Sequence, residues 1–360
     1  MSSIMSLELL GFSHFSDITH FRLQVLIKKY GDLAAAWRSL QIEDLILLRI
    51  APERAQAIYA KKQTLQLEQY AEQLKKQSIH TVGFFDDPYP QQLKEIYNPP
   101  LLLYCKGSHP IPTDGIAVVG TRHPSVYGSK ATAELVRELA PAKVPIISGL
   151  AAGIDTIAHH TAIETHGPTI AVLGTGLDLR YPPENTKLFE QIVETGLLIS
   201  EYPLATKPMK WHFPHRNRII TGLARAVCVM EGALTSGAMI TGKLALDQNR
   251  DVYALPGQIF ATTAAGPNWL ISQGARAIIN IAETAQELTG KQLSFQPRTL
   301  WPDLNTNEKI IYDYLSDMPL QLDTLLEKTN IPYTIFMQDI IKMQLKGLIS
   351  ELPGKRLVRT

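Results

Sequence analysis

The segment from Tyr202 to Met230 contains no Asp or Glu, although it holds five basic residues. The cations are Lys207, Lys210, Arg216, Arg218 and Arg225, and the rings of Trp211, His212, Phe213 and His215 lie among them. The whole chain has a formal net charge of only +1, so this concentration of positive charge is local. Cations combined with flat rings suit an extended anion that itself carries flat rings. Single-stranded nucleic acid has that chemistry.

Individual residues of this segment leave alternatives open. Arg216 and Arg218 stand two positions apart, and on a helix such residues point in different directions. One of them is therefore expected to reach a ligand while the other braces the fold. Phe213 either stacks on a base or fills the core. The histidines lack a carboxylate or a metal-ligand spacing nearby, which disfavours acid–base catalysis and metal binding.

Glycine-containing loops follow three successive predicted strands. They span residues 120–122, 148–155 and 174–176, and they include Gly120, Thr121, Arg122, Gly149, Leu150, Gly153 and Gly176. Glycine lets the backbone approach a ligand closely, and a helix N-terminus offers N–H donors to phosphate. The three loops together predict an anion site. Arg122 adds a guanidinium that either contacts phosphate in a bidentate manner or forms a structural ion pair.

These loops do not match the common nucleotide-binding motifs. The fingerprint G-x-G-x-x-G is absent after Val119, and no G-x-x-x-x-G-K-[ST] pattern occurs, so neither a dinucleotide cofactor nor ATP hydrolysis is expected. Ser236, followed by Gly237, begins a predicted helix and either caps it or binds phosphate. Asp155 and Asp178 follow glycine loops, where capping or bracing is the favoured role. We expect no cofactor and no metal.

The elements that must position these residues form an α/β pattern. Short apolar runs that do not alternate, at 116–119, 145–148, 169–173, 197–200, 226–230, 252–255 and 277–279, are typical of strands buried on both faces. Predicted helices at 128–140, 154–165, 184–194, 215–223, 236–248 and 268–274 lie between them. This alternation predicts a Rossmann-type domain over residues 87–290, with a parallel sheet between helices.

Two smaller domains are expected to flank the sheet. Residues 1–80 follow a helical pattern, and residues 291–304, with two prolines, are interpreted as a linker. Residues 305–360 contain three helical patterns, at 306–316, 320–329 and 333–346, and then two short strands, which predicts a winged helix. Residues 303–360 hold seven basic and eight acidic residues, so protein contact is favoured over duplex binding.

Composition and cysteine content indicate which class of protein the chain belongs to and in which cellular compartment it is expected. The chain is 45% hydrophobic and 19% charged, as is ordinary for a globular protein. Its two cysteines, Cys105 and Cys228, lie far apart in apolar runs, which predicts buried, reduced thiols. No apolar run has membrane-spanning length and no signal peptide precedes residue 10, so a cytoplasmic protein is expected.

In order along the chain, the motifs resemble those of the DprA/Smf family of DNA-processing proteins. The matching segments are Asp87–Pro90, Val119–Arg122, Ser148–Asp155, Gly174–Asp178 with Asn185, His212–Ile220, Ser236-Gly237 and Pro256-Gly257. The resemblance implies a non-catalytic, dimeric protein that binds single-stranded DNA, protects incoming DNA and loads RecA recombinase during natural transformation. It also implies a SAM-like fold for the N-terminal helices.

The resemblance assigns roles to particular residues. Arg122 and Lys210 are expected to bind phosphate, Phe213 is expected to meet a base, and Gly149 and Asn185 match family positions in the site. The full expected interface comprises Gly120, Thr121, Arg122, Gly149, Leu150, Gly153, Gly176, Asn185, Lys210, Phe213, Arg216, Asn217, Arg218, Ser236 and Gly237.

Two other functions remain open from the sequence. Rossmann-type pockets of the phosphoribohydrolase kind hydrolyse nucleotide monophosphates, and Glu231 with Ser236-Gly237 would then be either the remnant of such a site or the working site. The other possibility is an adaptor protein whose pocket is vestigial.

Overall fold

The structure is a computed structural model, and it describes residues 6–290, 304–315, 319–352 and 354–359. The chain forms two compact units, residues 1–291 and 292–360. Apart from residue 304, the predicted linker lies outside the described residues.

Six helices precede the sheet: α1 (Leu7–Phe12), α2 (His20–Tyr30), α3 (Leu33–Ser39), α4 (Ile42–Leu47), α5 (Pro52–Thr64) and α6 (Leu67–Lys76). Ser6, Thr19 and Asp32 cap α1, α2 and α3 with their side-chain oxygens, which satisfies amides that have no intrahelical acceptor. The buried residues Leu10, Leu23 and others share one hydrophobic core with residues of the sheet and its helices, among them Leu173 and Leu198. The N-terminal helices therefore pack as part of the first unit.

The large sheet has nine strands in the order β1-β2-β6-β5-β4-β3-β7-β8-β9. Their bounds are β1 (His80–Gly83), β2 (Leu102–Gly107), β3 (Gly115–Val119), β4 (Ile146–Ser148), β5 (Thr169–Leu173), β6 (Leu197–Ser200), β7 (Ala224–Val229), β8 (Asp251–Ala254) and β9 (Arg276–Ala277). In this spatial order, the seven strands β6-β5-β4-β3-β7-β8-β9 pair in parallel. Strand β2 pairs antiparallel with β6, and β1 pairs antiparallel with β2, so these two strands extend the sheet beyond β6. The predicted α/β architecture is confirmed as a mostly parallel sheet.

Helices cover both faces of this sheet. They are α7 (Gln91–Lys94), α8 (Val126–Leu139), α9 (Ile154–Glu164), α10 (Thr186–Thr195), α11 (His212–Leu223), α12 (Gly237–Asp247), α13 (Ala265–Ser272) and α14 (Ile281–Thr289). Successive residues of β3 alternate between two hydrophobic clusters, with Ile116 and Val118 in one and Ala117 and Val119 in the other. Because the parallel strands point one way, the loops after β3, β4, β5 and β7 meet at one edge.

The second unit combines three helices with a small antiparallel sheet. Its elements are α15 (Thr306–Tyr314), β10 (Leu320–Gln321), α16 (Leu322–Thr329), α17 (Tyr333–Leu345), β11 (Ile349–Leu352) and β12 (Arg356–Arg359). The strand order is β10-β12-β11, and Ile311, Leu325 and Phe336 are fully buried in its core.

Candidate nucleic-acid interface

A cavity of about 580 Å³ opens at the carboxyl edge of the parallel strands, and we call it the edge cavity. It is lined by the loop after β3, by the residues around the start of α11, and by the start of α12. The predicted site residues in its lining are Gly120, Thr121, Arg122, Lys210, Phe213, Arg216, Asn217, Ser236 and Gly237. Residues 90 or more positions apart in the chain therefore meet at the edge where parallel sheets bind ligands.

Arg122 and Lys210 supply free positive charge to the edge cavity. Both side chains are exposed, and neither forms an ion pair within the part of the chain that the structure describes. Asp155 is the single carboxylate in the described lining of this cavity, and it is buried. Two uncompensated cations at an open cavity favour an anionic ligand.

Phe213 is half-buried and lines both the edge cavity and a smaller neighbouring cavity of about 130 Å³. Its ring packs closely against Gly174, where an added Cβ would come within 3.1 Å of the ring and force the ring to shift. The guanidinium carbons of Arg122 and Arg216 each lie 6.0 Å from the ring centroid. The ring thus combines a packing contact on the sheet with a partly open surface between two cations.

Arg216 is buried and serves mainly to hold the loops together. One of its Nη atoms donates to the carbonyl oxygens of Gly149 and Val172, and its Nε donates to Asn217 at 3.2 Å. Burial lowers its pKa to about 10, against the attraction of Asp155. Burial raises the pKa of Asp155, and the Arg216 charge opposes that shift. This arginine brings a positive charge to the floor of the cavity while joining the ends of β4 and β5.

Arg218, which the expected interface includes, and Arg225 both lie outside the described lining of the edge cavity. Arg218 is 6% exposed and donates to Glu201. It stands about 200° around the helix from Arg216, since each helical residue turns by about 100°. Arg225 is the second residue of β7 and lies near the amino end of that strand. It pairs with Asp114 at the edge of the sheet opposite the edge cavity. Both charges are neutralised by acids from outside the acid-free segment.

The loop after β4 uses its amides internally. The N–H groups of Gly149 and Ala151 donate to Asp155 at 3.1 and 3.4 Å, so they do not face a ligand as the sequence suggested. Leu150 is fully buried, and its carbonyl accepts from Asn185 at 3.0 Å. These residues brace the site from behind.

Two glycines of the expected interface have packing roles. Gly153 has φ +81°, and an added Cβ would lie 2.4 Å from the carbonyl oxygen of Thr121, so it locks the loops after β3 and β4 together. Gly176 is buried, and its N–H donates to Thr206 at 3.1 Å. Gly176 is absent from the described lining of the edge cavity.

Ser236 stands at the N-cap position of α12, but its side chain makes no cap hydrogen bond. Its Oγ atom is buried and has no hydrogen-bond partner among the described residues. Asn217 ties the same helix start to α11 through a 3.5 Å hydrogen bond to the Gly237 carbonyl. The first turn of α12 therefore offers the edge cavity free helix-terminal amides, and the capping interpretation of the Ser236 hydroxyl is wrong.

The candidate catalytic groups are engaged in structural contacts. Glu231 accepts from the N–H and Oγ of Ser125, at 2.8 and 2.7 Å, and lies outside the described lining of the edge cavity. Asp178 accepts from the Ala205 N–H. Nδ1 of His212 is 3.0 Å from the Gly174 carbonyl oxygen. Among the described residues no cluster of metal-binding side chains occurs, and no helix has the length and apolarity to cross a membrane.

Eight lining residues were outside the expected interface, and Tyr181 and Thr241 are the two whose side chains add a ring and a hydroxyl to the cavity. Tyr181 contributes a ring 5.5 Å from that of Phe213 and tilted by 30°, and Thr241 lines the cavity from the second turn of α12. An aromatic residue in a loop beyond β5 was the available signal for Tyr181. Thr241 lies on a helix with ordinary apolar neighbours and gave no signal.

Comparisons with known proteins agree with this arrangement. The model of the DNA recombination-mediator protein A family matches residues 80–289. Protein Smf of Synechocystis is 34% identical over 97% of this chain and 98% of its own length. The X-ray structure of DNA processing protein A from Streptococcus pneumoniae superposes with a TM-score of 0.65 and 33% identity, covering 79% of this chain and 97% of that one.

A second solved structure concerns the single-stranded DNA binding mode of DNA processing protein A from Helicobacter pylori. Its TM-score is 0.54 at 32% identity, and it covers 59% of this chain and 96% of that one. The matched family segment contains every residue of the edge cavity. The chain belongs to the DNA recombination-mediator protein A family.

Proposed function

We propose that this protein binds single-stranded DNA at the edge cavity and does so without catalysing a reaction. One observation carries the proposal: Arg122 and Lys210, two exposed cations without ion pairs among the described residues, flank the partly open ring of Phe213 in one cavity. Phosphates bind the two cations and the first turn of α12, and a base stacks on the ring. The relative from Helicobacter pylori is described as a single-stranded DNA binder, which supports the same ligand here.

Recognition at this site is largely independent of sequence. The groups offered are charges, backbone amides and a ring face, and such groups contact phosphates and ring faces that all four nucleotides share. Of the expected interface we retain the nine residues that line the edge cavity. Gly149, Leu150, Gly153, Gly176 and Asn185 support it from behind, and Arg218 is dropped because Glu201 neutralises it.

The wider role follows from family membership. We propose that the bound strand is incoming DNA in natural transformation, that the protein protects it in the cytoplasm, and that it loads RecA recombinase on it. A homodimer would join two edge cavities and raise the apparent affinity through avidity. Its proposed surface is the β9 edge, where Ile279 is 83% exposed and Phe260, beyond the neighbouring strand β8, is 94% exposed.

The flanking parts have supporting roles in this proposal. We assign the N-terminal helices a SAM-like fold and the second unit a winged-helix fold. Ile341 and Leu345 are 51% and 84% exposed and stand one turn apart on α17, which favours protein contact over duplex binding for that unit.

Fluorescence anisotropy with labelled oligo-dT tests the proposal. Arg122→Glu and Lys210→Glu should each abolish binding at moderate salt and leave the melting temperature unchanged. Arg137→Glu is the matched control, because Arg137 is exposed in the last turn of α8, away from the edge cavity, and should bind normally. Normal binding by both cavity variants would refute the proposed surface. Hydrolysis of a nucleoside monophosphate that disappears in Glu231→Gln would instead support an enzyme.

A further inference from the structure

A second cavity, of about 460 Å³, lies on the other side of the first turn of α11, and we call it the junction cavity. Its walls come from the α1–α2 loop, from Lys61 of α5, from residues 98–102, and from the segment 201–206 before α11. A cavity of this size accommodates a small organic ligand or part of a larger one. The functional site described above does not use it.

The start of α11 separates the two cavities. Lys210, Phe213 and Asn217 line the edge cavity, whereas Trp211, His212 and His215 line the junction cavity. Residues 211 and 215 are one turn apart, so they share a helix face, and residues 213 and 217 share another. A helix with its side chains is about 10–12 Å wide. A single strand leaving the edge cavity past Lys210 has only this ridge to cross.

The junction cavity carries the same chemistry as the edge cavity. Trp211 offers an aromatic surface that is 52% exposed, and the rings of His212 and His215 contact it in edge-on geometry. Lys61 extends over the Phe15 ring, with its Nζ 5.7 Å from the ring centroid, and forms no ion pair in the described ranges. A ring and a free cation again stand together.

The positive charge of Lys61 is not offset by the one acidic side chain in the described lining of the junction cavity. Glu201 is the single acidic residue in its described lining, and Arg218 neutralises it. Lys207 and Lys210 are exposed in the segment between the two cavities and pair with no acid among the residues described. The chain between Thr206 in the junction cavity and Lys210 in the edge cavity therefore carries two lysines without an acidic partner among the described residues.

The ridge is fixed in place from both sides. The N–H of Leu204 donates to the hydroxyl of Tyr70 on α6 at 2.7 Å, and the His212 ring contacts the Gly174 carbonyl. The N-terminal helices thus hold the segment that leads to Lys210 and Trp211. A bound strand meets a preformed surface here, which reduces the entropy lost on binding.

We propose that the strand held at the edge cavity continues over the start of α11 into the junction cavity, where a base stacks on Trp211 and a phosphate binds Lys61. This inference rests on the proposed function and extends it to the N-terminal helices. It predicts a longer footprint than one cavity provides, and it gives residues before the sheet a direct part in DNA binding.

The test compares oligo-dT of about 4 and about 16 nucleotides, lengths within the range of known single-strand site sizes. Trp211→Ala should weaken binding of the longer oligomer by about 5- to 140-fold, as expected for one lost base stack, and leave the shorter one unchanged. Trp211→Phe keeps a ring and should restore most of that affinity. Lys61→Glu should lower the slope of log affinity against log salt by about 0.7 for the longer oligomer.

The outcomes separate this inference from the proposed function. If Trp211→Ala and Lys61→Glu bind the longer oligomer as tightly as the wild type does, the junction cavity is not part of the footprint, while the edge cavity stands. If the wild type binds neither oligomer, the proposed function itself fails. Because Trp211 and Lys61 are exposed, melting curves of the variants should match that of the wild type.

Discussion

Two arginines of the edge cavity, Arg122 and Arg216, should respond in opposite ways to replacement by methionine. Arg216 is 4% exposed and donates to two carbonyl oxygens and to Asn217, beside the buried Asp155. Arg216→Met removes these donors and leaves a buried carboxyl without its cation. Losing a donor to several buried acceptors, at about 1–3 kcal/mol each, together with the positive charge that attracts Asp155, should cost about 3–5 kcal/mol.

The expected change in melting temperature follows from that free energy. For a domain of this size each kcal/mol corresponds to about 2–4 °C, so Arg216→Met should melt roughly 6–20 °C below the wild type. Arg122 is exposed and without an ion pair in the described part of the chain, and Arg122→Met should change the free energy of unfolding by less than about 0.5 kcal/mol. Its effect should fall on DNA binding instead.

Thermal unfolding and oligo-dT titration measure the two effects separately. Arg122→Met should lose about 1.5–3 kcal/mol of binding free energy, the range for a hydrogen bond to a charged group. The reasoning is refuted if Arg216→Met melts with the wild type and loses only DNA binding. It is refuted equally if Arg122→Met unfolds early, because its side chain would then be a brace.

Two further predictions concern Phe213 and the pH dependence of stability. Phe213→Ala should weaken oligo-dT binding by about 1–3 kcal/mol in a titration, and Phe213→Leu, which fills the contact with Gly174 but lacks a ring face, should weaken binding with a smaller loss of stability. His159 is fully buried and burial lowers its pKa to about 3, so the unfolded chain takes up its proton near pH 6.5 and the folded chain does not. The contribution of His159 to the free energy of unfolding is complete above about pH 6.5 and decreases as the pH falls, by about 2 kcal/mol between pH 7 and 5. In urea unfolding, His159→Asn should therefore show a weaker pH dependence than the wild type.

Each of these predictions has a contrary outcome. If Phe213→Ala binds oligo-dT normally but melts early, the ring is core and does not stack. If His159→Asn and the wild type lose the same stability between pH 7 and 5, His159 is not held neutral in the folded state, and half-buried histidines with a lowered pKa, such as His14, carry the dependence.

The strands of the parallel sheet could be predicted from the sequence because burial on both faces leaves unbroken apolar runs, as in Thr169–Leu173. Helix α14 was missed, since its short amphipathic pattern follows a two-residue strand, β9, that itself gives little signal. Strand β1 was missed because its four residues directly follow a helix and pair only with β2.

Arg122 and Phe213 both line the edge cavity, as their positions in the sequence led us to expect. Arg122 lies in the loop directly after a strand and Phe213 lies on one helix face, and these positions depend on local sequence alone. The roles of Arg218 and Arg225 depend on Glu201 and Asp114, acids that lie outside the basic segment and reach it only in the folded chain. The amides of the loop after β4 were assigned to a ligand, because the sequence does not reveal that Asp155 turns back to accept them. Local composition indicates charge, whereas tertiary pairing decides which charges remain free.

The most direct test is the affinity for oligo-dT measured across a range of salt concentrations, for the wild type and for the double variant Arg122→Glu/Lys210→Glu. The wild type should bind more weakly as salt rises, and log affinity should fall against log salt with a slope of about −0.7 for each phosphate contact. The double variant should bind far more weakly, and its slope should be smaller in magnitude by about 1.4, the value for two phosphate contacts. A wild type whose affinity is independent of salt, or a double variant that keeps the wild-type slope, would contradict the account.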